Sequence, residues 1–234
     1  MEFDFLAPLD NDLIIDIMQL SSQHLSSKVV FHTEAEFPDI SKVSIAIIGV
    51  LENRGKDSKE VDLSNVRREL YSLFPGNWSK TIADLGDILA GNSSDDTYFA
   101  LQKVVSKLIK NKVIPIVIGG AQDLTYAMYR GYDDLEQMVN LVSIDNKFDL
   151  GKQETLISSE SYLSKIIIEE PNNLFNYSNI GYQTYYNSQE EIDLMEKLFF
   201  DAYRLGEVCN NIAIAEPVFR DADLVSFDLT SVKS

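Results

Sequence analysis

Apolar positions along this chain alternate between two patterns. Some form short unbroken runs, and others recur three and four residues apart. Unbroken runs bounded by polar residues predict buried strands, and the wider spacing predicts amphipathic helices. The runs are Val43–Val50 (VSIAIIGV), Ile82–Ile88 (IADLGDI), Val113–Ile118 (VIPIVI), Leu141–Ile144, Ile180–Gln183 and Asp223–Leu229 (DLVSFDL). Between them lie helical patterns. Leu13, Ile14, Ile17 and Leu20 share one face of a helix over Asn11–Leu20. Leu63, Val66, Leu70 and Leu73 share another, ended by Pro75-Gly76. Leu101, Val104, Val105 and Leu108 line a third, capped by Asp95 or Asp96, with Lys107, Lys110 and Lys112 at its far end, where cations suit the dipole. A fourth starts near Gln122 or Asp123. A fifth follows the capping-box pattern Ser188–Glu191 and carries Ile192, Met195, Leu198, Phe199 and Ala202.

Strands alternating with helices predict an α/β fold with a mainly parallel sheet. Ligands in such folds bind beyond the carboxyl ends of the strands. The residues just after the apolar runs are therefore the candidate chemistry. After Val113–Ile118 come Gly119-Gly120-Ala121-Gln122-Asp123, whose glycines permit a tight turn or a close approach to a ligand. No nucleotide-loop pattern accompanies them. After Leu141–Ile144 come Asp145, Lys147 and Asp149, on one face if the chain stays extended. Two carboxylates so placed could hold a hard cation, the lysine could neutralise them instead, or the segment could be a solvated loop. After the last run come Asp228 and Thr230, again two apart.

Composition narrows the partners. The net charge is −17 over 234 residues, which repels phosphate backbones, so nucleic acid is not expected. No apolar stretch reaches about 18 residues, so membrane insertion is not expected. The acidic N-terminus is not a secretory signal, and the one cysteine, Cys209, cannot pair internally. A cytoplasmic location is expected. His24 and His32 are the only histidines, which excludes a zinc site built from several imidazoles or thiolates.

The three strand ends, in their order and spacing, resemble the ureohydrolases (arginases, agmatinases and formimidoylglutamases). The family's motifs run G-G-D-H-S, D-A-H-x-D and S-x-D-x-D. Here they stand as Gly119–Asp123, Asp145–Asp149 and Ser226–Thr230. VSIAIIGV with Arg54-Gly55 after it, the segment Asn65–Leu70 (NVRREL) and IADLGDI extend the resemblance from about residue 43 to 230. It is closest to formimidoylglutamases. It implies a three-layer αβα architecture with a doubly wound, mainly parallel sheet over residues 43–234. Residues 1–42 are then an N-terminal extension packing on the core. The C-terminal part of the fold is expected to be missing.

The resemblance implies a place for two manganese ions at six positions: Gln122, Asp145, Lys147, Asp149, Asp228 and Thr230. Both imidazoles and one carboxylate of the family pattern are replaced. Three carboxylates and one ammonium carry −2, where the family's four carboxylates carry −4. A protonated lysine has no lone pair to give a metal. The expectation is a protein that has lost dinuclear-manganese hydrolysis, needs no cofactor, and serves a structural or interaction role as a homo-oligomer or beside a partner protein. Lys147 is expected to pair with Asp145, Asp149 or Asp228. One alternative is a hydrolase of a formimino or guanidino C–N bond using one manganese held by Asp145, Asp149 and Asp228. Another is a small-molecule sensor that keeps the pocket.

Overall fold

The computed structural model describes residues 3–54, 62–77, 79–135, 137–151 and 157–232. Gly55, noted after the first long strand run, lies outside them. Contacts divide the chain into two compact units, Met1–Ala121 and Gln122–Ser234.

The first unit runs β1 (Leu6–Ala7), α1 (Asn11–Met18), β2 (Val29–Phe31), β3 (Ile45–Val50), α2 (Ser64–Ser72), β4 (Ile82–Ile88), α3 (Ser94–Lys110) and β5 (Ile114–Ile118). Its sheet has the order β1-β4-β3-β5, and β2 also pairs with β4. Only β1 is antiparallel, matching Leu6 to Ile88. Strands β3 and β4 are buried along nearly their whole length, which is why they read as continuous apolar runs. Residues 1–42 supply β1, β2 and α1 to this unit, and Leu9, Leu13, Ile17, Leu25 and Val29 join Ile47, Tyr71 and Ile82 in one core cluster.

Helices α1, α2 and α3 form close to where they were expected, and two details of them differ. Helix α2 does not bury a leucine–valine stripe: Val66 and Leu73 are exposed, while Arg67 and Tyr71 are buried. The reason lies on β4. Asp84 is fully buried there. Arg67 Nε donates to its Oδ2 at 2.8 Å and the Tyr71 hydroxyl donates to the same oxygen at 2.5 Å. Arg67 Nη2 also pairs with Asp87 at 2.8 Å. The buried carboxylate thus selects which face of α2 turns inward. Helix α3 is capped by Ser93, not by Asp95 or Asp96; Asp96 is the third residue of the capping box and returns a bond to the Ser93 backbone.

The second unit runs α4 (Leu124–Arg130), β6 (Val139–Ile144), α5 (Tyr162–Ile168), β7 (Leu174–Tyr182), α6 (Gln189–Lys197), β8 (Asp201–Arg204), α7 (Leu205–Asn210), α8 (Ala215–Arg220) and β9 (Leu224–Phe227). Its four strands are all parallel, in the order β8-β7-β6-β9. The α/β class with parallel strands is as expected. The strands pair in two hydrogen-bonded groups, one in each unit. Ala202 lies in β8 and Phe199 lies beyond the end of α6, so neither belongs to the helix face read from the sequence. Among the described residues no helix is long and apolar enough to cross a membrane.

Breaking one side of a buried ion pair leaves an uncompensated charge, at a cost of about 3–5 kcal/mol. Arg67→Met should therefore lower the urea midpoint sharply, and Arg67→Met combined with Asp84→Asn should recover part of the loss. Denaturation curves of the three proteins decide this.

Candidate functional site

All six candidate positions belong to the second unit. Gln122 lies in the turn before α4, Asp145 directly follows β6, and Asp228 directly follows β9. Strands β6 and β9 are register partners, with Ser143 opposite Ser226 and Ile144 opposite Phe227. The two aspartates therefore leave the sheet side by side. The chain after them does not stay extended. Lys147 N–H donates to Asp145 Oδ1 at 3.0 Å, and Asp149 has a left-handed backbone with φ of 55°. Thr230 N–H donates to Asp228 Oδ1 at 2.7 Å, starting a short 3-10 turn. Each aspartate thus caps the loop that follows it.

This local turning separates the predicted residues. Asp145 and Asp149 are buried together. The expected pairing of Lys147 with them is not found. Its ammonium reaches outward to Glu160 Oε1 at 2.7 Å, and its side chain is 42% exposed. Residues 145, 147 and 149 share no strand face because β6 ends at Ile144. Asp228 is half-buried, and Thr230 is exposed. Among the described residues, no group of three or more His, Cys, Asp or Glu side chains is arranged to hold a metal. His24 stacks on Phe74, and His32 bonds through Nδ1 to the Leu85 carbonyl; both lie in the first unit. Cys209 is exposed.

Gln122 occupies a nest of hydroxyls. Its Nε2 lies 3.2 Å from Ser143 Oγ, 3.3 Å from Tyr162 Oη and 3.3 Å from Ser226 Oγ. Thr125 Oγ1 and Ser226 Oγ share a bond of 2.7 Å. Ser143 and Tyr162 are fully buried. Ser226 opens the third motif. Ser143 was not singled out in the sequence, yet a signal was present: Ser-Ile-Asp at 143–145 and Ser-Phe-Asp at 226–228 are the same pattern on paired strands. Tyr162 came from a helix with no motif to mark it.

The electrostatics follow from this burial. Asp149 is held well above the usual carboxylate range, first by burial and then by the charge of Asp145 beside it. Asp145 is also raised by burial, against the Lys147 backbone N–H that favours its charged form. Two adjoining carboxyls in a dry setting cannot both ionise cheaply, and one proton between them resolves the conflict. Burial also raises Tyr162, which stays a neutral hydroxyl. Among the described residues Gln122 Oε1, Asp145 Oδ2 and Asp149 Oδ2 have no hydrogen-bond partner. The Gln122 amide lies beside Asp145. Turning that amide over by 180° would let the hydroxyls donate to Oε1 and its NH₂ face the carboxyl. A shared proton and that rotation would satisfy all three oxygens.

A family model described as the arginase family matches residues 57–229. The chain belongs to the arginase family. Among curated relatives, a formimidoylglutamase of Geobacillus sp. (strain WCH70) is 28% identical over 139 residues, covering 57% of this chain and 41% of the relative. One from Streptococcus gordonii is 26% identical over 201 residues, covering 76% and 61%. The chain thus spans roughly half the length of these relatives. Among solved structures, Trypanosoma cruzi formiminoglutamase with manganese matches with a TM-score of 0.73 at 19% identity, covering 84% of this chain and 73% of that one. Bacillus subtilis formimidoylglutamase matches with a TM-score of 0.70 at 15% identity, covering 83% and 68%. These likenesses show an arginase-like fold.

Two outcomes follow from the geometry. An exposed ion pair contributes about 0–1 kcal/mol, so Lys147→Met should leave the urea midpoint almost unchanged. A large fall would place Lys147 among the buried carboxyls after all. The raised pKa of Asp149 means that the folded state holds its proton more tightly than the unfolded chain does. That stabilisation is complete below the unfolded value, about 3.9, and is lost as pH rises through the folded value. Asp149→Asn should remove this loss, so its urea midpoint should fall less than the parent's as pH is raised from about 4. Parallel pH series would reveal no difference if Asp149 were ionised in the fold.

Proposed function

We propose that this arginase-family chain has lost dinuclear-manganese hydrolysis and acts as a structural or interaction protein, assembled with itself or with a protein partner. The observation that carries this reading is the fate of the second motif. A metal-binding imidazole cannot be replaced by an ammonium, and Lys147 has left the cluster for Glu160. Gln122 offers one amide oxygen, and the exposed Thr230 brings no charge. What remains inside is a carboxyl pair surrounded by neutral hydroxyls. That donor set does not fit two manganese ions, which need several anionic or imidazole ligands to offset their charge. No metal-activated nucleophile is therefore assigned.

A second reading is favoured by the unpartnered oxygens of Gln122, Asp145 and Asp149. Three oxygens facing no donor suit one hard cation, with Asp228 next to them. This would be a formimidoylglutamase-like hydrolase of a formimino or guanidino C–N bond with one metal. The shared proton and the rotated amide account for the same oxygens without a cation. A sensor that binds such a compound without cleaving it would need the same pocket and no metal.

One experiment separates the readings. The protein is incubated with manganese, dialysed and analysed for metal, then assayed with N-formiminoglutamate, arginine and agmatine. The expected result is no retained manganese and no turnover. One equivalent with measurable turnover establishes the single-metal hydrolase. Two equivalents with rates of roughly 1 per second or more overturn the proposal outright.

A further inference from the structure

A second cleft lies at the opposite, amino-terminal ends of the strands in the same unit, and nothing in the carboxyl-end cluster uses it. It is a cavity of about 550 Å³ lined by Asn140, Phe175, Asn176, Phe199, Asp201 and Asp221. Asn140 is the second residue of β6, Phe175 and Asn176 are the second and third of β7, and Asp201 opens β8. Asp221 lies in the turn between α8 and β9.

Phe199 stands where folding alone would place a different residue. Helix α6 ends in a Schellman motif: Phe200 N–H donates to the Met195 carbonyl at 3.0 Å, and Phe199 N–H to the Glu196 carbonyl at 3.1 Å. The residue between the cap and Phe200 must be left-handed, and Phe199 is, with φ of 58°. Glycine is the usual occupant because it has no Cβ to clash. A phenylalanine there is strained, and its ring is 90% exposed, so packing does not repay the strain. Phe175 is a second such ring, 70% exposed.

The charged residues that line the cleft with these rings, Asp201 and Asp221, have one sign. Among the described residues no lysine or arginine lines the cleft. Asp201 is oriented from one side: its Oδ2 accepts from Asn176 Nδ2 at 2.8 Å and from Ser178 Oγ at 3.3 Å. Asp221 is exposed. Among the described residues neither carboxylate is in a recorded ion pair. Aromatic faces attract cations through their quadrupole, most strongly when the cation carries alkyl groups that also cover the ring. Two carboxylates add Coulomb attraction, and the amides of Asn140 and Asn176 can hydrogen-bond a polar tail. A bare metal ion would gain little from the rings, an anion is repelled, and a second copy of so acidic a chain would bring like charge to like.

We propose that this cleft binds a small quaternary ammonium ion between the Phe175 and Phe199 rings, with Asp201 and Asp221 supplying the counter-charge. The site is independent of the metal question, so it stands or falls apart from the proposed loss of hydrolysis. The test is calorimetric titration of the full chain with choline chloride, and with 3,3-dimethyl-1-butanol, its uncharged carbon analogue. Choline should bind saturably, and the analogue at least tenfold more weakly. Phe199→Gly should raise the urea midpoint by relieving the strained backbone, while choline affinity falls at least tenfold. Asp201→Asn should weaken choline binding with the fold intact by circular dichroism. Absence of saturable heat from choline at tens of millimolar overturns the proposal. So does equal binding of the uncharged analogue, or choline affinity unchanged in both variants.

Discussion

A carboxylate removed from water must be paired, hydrogen-bonded or protonated, and this acidic chain buries several. Each buried one is handled by what lies near it. Glu52 accepts from Arg54 at 2.9 Å and from the Thr97 hydroxyl at 2.9 Å, and those bonds hold it below the usual range despite the burial that opposes them. Asp84 takes Arg67 and Tyr71 from α2, and so fixes how that helix lies on the first sheet. Among the described residues Asp145 and Asp149 have no cation paired with them, and burial raises both. Asp84 is thus held by arginine and tyrosine, as Asp133 is by Arg130 at 2.8 Å, whereas the Asp145–Asp149 pair is settled by a proton.

That difference bears on function. The arginase-like frame brings the second and third motifs together at the carboxyl ends of β6 and β9 through a parallel register that puts Ser143 beside Ser226. Such a frame concentrates negative charge at one point, which suits divalent cations when the ligands are complete. With Gln122, Lys147 and Thr230 in the pattern, the same frame holds the remaining carboxyls against a layer of neutral donors.

The opposite end of the same sheet raises a separate issue of stability against function. Phe199 is a costly residue for a helix terminus, and Gly at that position would relieve the backbone. Strain of this kind persists when the side chain is useful for something other than folding. Its neighbours, an exposed ring and unneutralised carboxylates, give that use a chemical form.

The sequence by itself determined the α/β class, the strands β3, β4, β5, β6 and β9, and the approximate extents of α1, α2 and α3, because the runs and spacing of apolar residues mark these elements locally. The three motifs and their family were legible for the same local reason: each sits at a fixed offset from a strand end. The short strands β1, β2 and β8 carry too few residues to show a period, and their pairing with distant partners makes them strands. The inward face of α2 was hidden because Asp84, far along the chain, selects Arg67 and Tyr71 over Val66 and Leu73. The direction of Lys147 was likewise decided by tertiary structure. Periodicity treats residues 145, 147 and 149 as one face, but the bond from Lys147 N–H to Asp145 turns the chain and leaves the ammonium nearer Glu160 than the carboxyls it was expected to meet. Sequence fixes which groups are available, and only the folded backbone sets the few ångströms over which charge, proton and hydroxyl compete.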